Sequence, residues 1–174
     1  MMHIDETIAL VPLPKDGDSQ IVEFKKRNTK RVGIVSELVA MQRFAAAGYF
    51  IYIPFGDNAP SDLVVEDRHG ETYRIQVKTG RLRNGVVLFN CCSFHGHRGR
   101  PATGYVGKVD AFAIYCPNND ELYVVPIDAP AATAAKGGLR IASPSNGMKS
   151  KIHWALDYRF NPLNPIARIP RSSN

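Results

Sequence analysis

Hydrophobic and polar residues follow a helical period and then a strand period along the first half of the chain. From Gly33 to Gly48 the apolar positions recur at helical spacing, and Gly48 fits the C-terminal cap. Glu37 falls within the apolar stripe, where a carboxylate is costly unless it is paired or bound to a metal ion. A structural ion pair is the alternative explanation for this residue. The predicted buried stripe comprises Ile34, Leu38, Met41, Phe44 and Ala45.

Segments rich in aromatic and β-branched residues predict strands after this helix. The first, Tyr49–Pro54, is expected to be buried. An Ala-rich stretch near residue 130 predicts a short helix that ends at Gly137-Gly138. The other predicted strands are Asp62–Glu66, Thr72–Thr79, Val86–Cys92, Val109–Cys116 and Glu121–Ile127, and the last two form a hairpin.

The hairpin formed by Asp62–Glu66 and Thr72–Thr79 carries candidate chemistry. Gln76 and Lys78 share one face of the second strand because side chains alternate along a strand. Asp62 joins that face if it pairs directly across from Gln76, which requires a bulge or a three-residue turn centred on His69. A two-residue turn would point the Asp62 side chain to the opposite face.

A carboxylate at the start of one strand, opposite a polar residue and a lysine on the next, can hold a metal ion beside a cation. Phosphodiester hydrolysis needs an attacking water and stabilisation of negative charge, which such a pair supplies. In this interpretation Lys78 orients the water and stabilises the developing charge. The alternative for Gln76 and Lys78 is an exposed polar strand face. Asp110 is either a further acidic neighbour or a structural partner.

The charge distribution favours binding to a polyanion. The net charge is +6, and residues 72–109 contain no Asp or Glu although they carry several Arg and Lys residues. Phosphate backbones bind such surfaces with release of counterions, although a solvated basic face is the alternative. The residues predicted to contact DNA are Lys26, Arg27, Lys30, Arg81, Arg83, Arg98, Arg100 and Lys108.

Length and composition predict a single soluble domain. The 174 residues are 44% hydrophobic, which suffices for one sizeable core. No apolar run approaches the ~20 residues that span a bilayer, so we expect no membrane association and a cytoplasmic location. The odd number of cysteines, three, fits a reducing compartment.

Helix-borne Glu37, Pro60-Ser61-Asp62 and Gln76-Val77-Lys78 together resemble the PD-(D/E)XK nuclease superfamily, in its variant with glutamine at the second acidic position. The run GDNAPSDLVV…RIQVKTG is similar to group I intron homing endonucleases, and archaeal Holliday-junction resolvases share the same core. The resemblance implies an α/β, restriction-endonuclease-like α-β-β-β-α-β core with a central mixed sheet flanked by helices. It covers residues 30–128 of a single domain, between an N-terminal arm (1–29) and a C-terminal extension (129–174).

The resemblance also implies ligands for Mg²⁺ or Mn²⁺. Asp62, the Gln76 side chain and the Val77 carbonyl would contact the metal ion, and Glu37 would bind a metal ion or its water. The amide of Gln76 brings no charge, so such a site should hold one ion more weakly than a site with two carboxylates.

The function that follows is a metal-dependent DNA endonuclease, with site-specific cutting of duplex DNA favoured. A Holliday-junction resolvase and a catalytically inactive DNA-binding module with the nuclease fold are the alternatives. Cutting both strands needs two active sites, so we expect a homodimer or homotetramer.

Overall fold

The chain folds around a long helix and a mixed sheet. The structure, a computed structural model, describes residues 29–56, 58–93, 103–132, 135–144, 150 and 152–162. Helix α1 is Thr29–Ala46 and the short α2 is Ala155–Tyr158, while Pro130–Ala132 forms a 3-10 turn. The strands are β1 (Phe50–Tyr52), β2 (Leu63–Glu66), β3 (Thr72–Thr79), β4 (Arg81–Arg83), β5 (Val86–Asn90), β6 (Cys92–Ser93), β7 (Thr103–Gly104), β8 (Ala111–Cys116), β9 (Glu121–Pro126) and β10 (Lys136–Arg140).

The main sheet has the strand order β1-β2-β3-β8-β9, in which only β3 and β8 are parallel. The predicted α/β class with a mixed sheet is confirmed. The resemblance implied a helix in the connection between β3 and the next core strand. In its described part that connection forms β4, β5, β6 and β7 instead, and β4 and β5 join β10 in a second, three-stranded sheet.

The two faces of the main sheet build two cores. On one face α1 packs Ala40 and Phe44 against Ile75 of β3 and Ala113 of β8. On the other face the second sheet covers the residues that alternate with these, including Phe112. The second face is thus covered by the second sheet together with the short α2, which contributes Ala155 to this core. Cys91, Cys92 and Cys116 are buried and free.

The buried face of α1 differs from the predicted stripe. Ser36, Ala40 and Phe44 are buried, whereas Ile34 and Leu38 are 55% and 58% exposed. Small side chains on this face let the helix approach β3 closely, and the Ser36 hydroxyl lies 2.6 Å from that of Thr79. The hydrophobic pattern could not reveal a face built from small and polar residues. Of the helices in the described residues, none is long and apolar enough to span a membrane.

Two other predictions are wrong at the edges of the fold. β1 is an edge strand, and Phe50 and Tyr52 are exposed rather than buried. The Ala-rich helix is replaced by the 3-10 turn, and Gly137-Gly138 lies inside β10. A Cβ on Gly137 would overlap the Phe89 ring and lie 2.6 Å from the Ala131 carbonyl oxygen. This position therefore requires glycine because of close packing.

Candidate active site

The β2–β3 hairpin brings Asp62 opposite Gln76. The ladder ends with the pair of Leu63 and Ile75. The Asp62 N–H also donates to the Ile75 carbonyl, at 2.9 Å, so two residues of this strand oppose one of β3 and the chain is bulged at Asp62. The Asp67 N–H donates a hydrogen bond to the Glu71 carbonyl, and residues 68–70 between them form a three-residue turn centred on His69. The predicted strand register with its three-residue turn is confirmed, and the Asp62 side chain contacts that of Gln76.

The Asp62 carboxylate lies at the start of β2, beside the middle of β3. Its Oδ2 accepts hydrogen bonds from the Val77 N–H at 2.7 Å and from the Gln76 side-chain amide. The same amide group lies 3.4 Å from the Val77 carbonyl oxygen. The nitrogen and oxygen of a side-chain amide exchange places on a half-turn, so the Gln76 oxygen can occupy this point. With the amide turned in this way, Asp62, Gln76 and Val77 would direct oxygen donors at one place.

Glu37 and Asp62 form an electrostatically coupled pair of carboxylates. Burial raises the pKa of Glu37 above its ordinary value, and the negative charge of Asp62 raises it further. Burial also raises the pKa of Asp62, and the Val77 N–H and the Lys78 charge offset this effect only in part. Burial thus disfavours the ionised form of both groups, and at Glu37 the negative charge of Asp62 adds to this effect.

The oxygen donors of this cluster suit a hard divalent cation. Mg²⁺ and Mn²⁺ prefer carboxylate, carbonyl and water ligands. A cation at this place would offset the burial that raises both pKa values and the repulsion that adds to the shift of Glu37, so the residues fit such an ion. The described residues contain no group of three His, Cys, Asp or Glu that could hold a metal ion. At this site the side-chain donor besides Asp62 and Glu37 is the amide of Gln76.

Lys78 has a partner that the sequence did not indicate. Its Nζ donates a hydrogen bond to the Tyr105 hydroxyl at 3.0 Å and lies 4.6 Å from the centre of the Tyr105 ring. The Tyr105 ring packs edge-on against Phe112 of the second core, with a centroid separation of 5.6 Å. Tyr105 lies 27 residues after Lys78 in a Gly-rich loop, and no periodicity connects the two.

Asp110 has a structural role in the connection between β3 and β8. Its carboxylate accepts hydrogen bonds from the Arg74 N–H and from two guanidinium nitrogens, at 2.7, 3.2 and 2.9 Å. Burial alone would raise the pKa of Asp110, but these bonds and the Arg74 charge outweigh burial and lower it. Of the two alternatives for Asp110, the structure supports structural pairing.

The predicted DNA-contacting residues fall into three groups. Arg81 and Arg83, on β4, line a cavity of about 360 Å³ together with Lys78. Lys30 is exposed in the first turn of α1, and Lys108 is exposed in the turn before β8. The remaining four lie outside the described residues: Lys26, Arg27, Arg98 and Arg100.

Gly80 explains why β4 begins beside Lys78. A Cβ at this position would lie 2.7 Å from a methyl carbon of Val87. The absence of a side chain lets the chain pass directly from the main sheet to the second sheet. Arg81 therefore follows Lys78 at the mouth of the same cavity.

Comparisons with known proteins agree with this architecture. A family model described as PD-(D/E)XK endonuclease matches residues 27–161. The structure of a bacterial homing endonuclease, I-Ssp6803I, superposes with a TM-score of 0.62 at 22% sequence identity, covering 76% of this chain and 88% of that one. None of the curated proteins matches the sequence significantly. The structural likeness at this identity shows a shared fold.

Proposed function

Because this chain belongs to the PD-(D/E)XK endonuclease family, we propose that it hydrolyses phosphodiester bonds of DNA with the help of a divalent metal ion. The observation that carries the proposal is the convergence of Asp62, Gln76 and Val77 where β2 begins, within electrostatic reach of Glu37. Lys78 lies one residue beyond Val77, on the face of Gln76, so a cation stands beside the oxygen donors.

Each residue of the site has a role in this proposal. Asp62, the Gln76 amide oxygen and the Val77 carbonyl hold the metal ion, and Glu37 binds the ion or its water. When bound, Mg²⁺ or Mn²⁺ neutralises charge on the scissile phosphate and lowers the pKa of the attacking water. Gln76 brings an uncharged amide where other such sites have a second carboxylate. This site therefore binds its metal ion more weakly than those sites do.

Lys78 orients the attacking water and stabilises the negative charge that develops on the phosphate. Such a preorganised cation contributes about 3–4 kcal/mol to a reaction of this kind. Tyr105 holds the Lys78 amine through its hydroxyl group, which fixes the direction in which the charge is presented. Tyr105 is therefore a positioning residue in this mechanism.

The bound DNA lies along the basic residues next to the site. Arg81 and Arg83 share a cavity with Lys78, which favours contacts to phosphates close to the scissile bond. Lys30 and Lys108 are exposed cations that extend this contact. We assign the same role to Lys26, Arg27, Arg98 and Arg100, which lie outside the described residues.

Cutting both strands of a duplex requires two copies of the site, so we propose that the protein acts as a homodimer or homotetramer. Ile34 and Leu38 on α1 and Ile53 and Phe55 after β1 are large apolar side chains more than half exposed. These residues are the candidates for the contact between subunits. Sedimentation velocity at micromolar concentration tests this point, and a monomer that still cuts both strands would contradict it.

Incubation of the purified protein with plasmid DNA and with a synthetic four-way junction, in Mg²⁺, Mn²⁺ or EDTA, tests the proposed reaction. We expect Mg²⁺-dependent linearisation of the plasmid and no product in EDTA. Cutting confined to the junction would support a resolvase instead. If neither substrate is cut while wild type and Lys78→Ala bind DNA equally well, the chain is a DNA-binding module without catalysis.

A further inference from the structure

The outer face of the second sheet carries positive charge on its two outer strands and none on its central strand. Arg81 and Arg83 project from β4, and Lys136 and Arg140 project from β10. The ladder registers place Lys136 beside Asn90, Arg81 beside Leu88, and Arg83 and Arg140 on either side of Val86. The outward residues of the central strand β5 are thus uncharged: Val86, Leu88 and Asn90.

Among the residues that the structure describes, these four cations have no acidic partner. Within the described ranges, the ion pairs involve Arg43, Arg74 and Arg159, and none includes a cation of this sheet. Arg81, Arg83 and Lys136 are exposed, and Arg140 is half-buried, with one guanidinium nitrogen 3.4 Å from the Ala142 carbonyl oxygen. Unpaired cations on one face produce a field that attracts a polyanion.

The spacing of the charged strands suits duplex DNA. Neighbouring strands lie about 4.8 Å apart, so the backbones of β4 and β10 are roughly 9.6 Å apart across β5. The major groove is about 12 Å wide, and long Lys and Arg side chains that splay outward cover the difference. Two rows of cations with a neutral strand between them can therefore contact the phosphates that border one groove.

This face is continuous with the candidate active site. Lys136, Arg81 and Arg83 line the same cavity of about 360 Å³ as Lys78, together with Asn90 of the central strand. A nucleic acid strand that leaves the site past Lys78 therefore meets the charged rows of the second sheet at once.

We propose that the outer face of the β4-β5-β10 sheet binds duplex DNA beside the cleavage site, with Lys136 and Arg140 contacting the phosphates on the β10 side. The proposal rests on the proposed nuclease function, because the bound duplex is the substrate of the adjacent site. It adds two contacts from the C-terminal part of the chain that sequence analysis did not assign to DNA binding.

Salt-dependent DNA binding tests this surface. The variants Lys136→Gln, Arg140→Gln and the double variant are made in an Asp62→Asn background, which prevents cleavage during the measurement. Binding of a fluorescent 30-base-pair duplex is followed by anisotropy over a range of KCl concentrations. Each lost phosphate contact should reduce the slope of log K against log salt by about 0.9, hence by about 1.8 for the double variant. The double variant should also bind about tenfold more weakly at low salt.

Arg68→Gln in the same background is the matched control. Arg68 is an exposed cation in the turn between β2 and β3, at the opposite end of this hairpin from Asp62. The salt slope and the DNA affinity of this variant should equal those of the Asp62→Asn parent. Equal melting temperatures of all variants exclude unfolding as the cause of any loss.

The outcomes separate this surface from the nuclease proposal. Unchanged slope and affinity in the double variant, with normal binding by the Asp62→Asn parent, would overturn the surface and leave the nuclease proposal standing. A wild-type protein that binds duplex DNA without cutting it would contradict the nuclease proposal, while a reduced slope in the double variant would still support the surface. Absence of any DNA binding by wild type would contradict both.

Discussion

The amine of Lys78 donates a hydrogen bond to the hydroxyl of Tyr105 at 3.0 Å, although the two residues lie on different elements. Lys78 belongs to β3, whereas Tyr105 lies between β7 and β8 and packs on Phe112. The position of the Lys78 charge thus depends on the second core as well as on its own strand. This relationship links the packing of the second sheet to the chemistry proposed for the site.

Tyr105→Phe should lower the rate of DNA cleavage without weakening DNA binding. The substitution keeps the ring that lies 4.6 Å from the Lys78 amine and removes the hydroxyl acceptor. Loss of one hydrogen bond to a charged group costs about 1.5 kcal/mol, which corresponds to roughly a tenfold lower kcat. Single-turnover kinetics at saturating DNA measures this change.

Tyr52→Phe provides the control for this measurement. It also removes a hydroxyl hydrogen bond, the 2.7 Å bond to Glu66, but at the edge strand β1. Its kcat should equal that of wild type. Equal kcat values for Tyr105→Phe and wild type would contradict the positioning role of Tyr105.

Asp62→Asn should stabilise the metal-free protein at neutral pH. The pKa of Asp62 is raised in the folded state, so ionisation favours unfolding, and stability is lost as pH rises through the folded-state pKa. Asparagine removes this charge and can still accept the Val77 N–H hydrogen bond. The melting temperature in EDTA at pH 7.5 should rise by about 2–5 °C, and the difference should vanish below about pH 4, the ordinary range of the Asp pKa.

The same variant should lose the response to metal ions. Mg²⁺ that binds the folded state raises the melting temperature of wild type, and without the Asp62 carboxylate this rise should disappear. An equal Mg²⁺-dependent shift in Asp62→Asn and wild type would mean that the ion binds elsewhere.

Asp110→Ala should destabilise the protein at neutral pH. The pKa of Asp110 is lowered, so its ionised form stabilises the fold above its unfolded-state pKa, and this contribution is lost as pH falls. Removal of the acceptor for the Arg74 N–H and guanidinium should cost about 1–3 kcal/mol. Urea denaturation at pH 7 measures this loss of stability. Asp128→Ala is the control: Asp128 is exposed, so this substitution should change the free energy of unfolding by less than about 0.5 kcal/mol.

Gly137→Ala should destabilise the second sheet through steric overlap. The added methyl group would collide with the Phe89 ring and the Ala131 carbonyl oxygen, and overpacking of this kind costs about 1–3 kcal/mol or more. Gly104→Ala is the control, because a Cβ there meets no heavy atom within 4 Å. Equal urea midpoints for the two variants would show that β10 can shift to accept the methyl group.

The hairpin at the candidate site could be predicted from sequence because its information is local. The bounds Thr72–Thr79 of β3 agree with the prediction, and so does the strand register, in which Leu63 pairs with Ile75. Alternation of side chains and the length of the turn determine both features. The hairpin between β8 and β9, around residues 117–120, was predictable for the same reason.

Features that depend on distant packing could not be predicted in this way. The buried face of α1 contains Ser36 and Ala40, which no hydrophobic scale marks as a contact surface. The sequence around Gly137 favours a turn, but this residue lies in strand β10. Glycine is required there because a side chain would collide with the Phe89 ring, a contact that only the folded structure shows. The bond between Lys78 and Tyr105 likewise exists only once the second sheet covers the first.

The most direct test of the proposed site compares plasmid cleavage by wild type, Asp62→Asn and Lys78→Met, purified in parallel and assayed in Mg²⁺ and in EDTA. We expect wild type to cleave only in Mg²⁺ and each variant to be at least about 10²-fold slower. Folding and DNA binding of the variants, checked by melting temperature and anisotropy, should be retained. Cleavage by wild type in EDTA, or equal rates for wild type and Asp62→Asn in Mg²⁺, would contradict the proposed site.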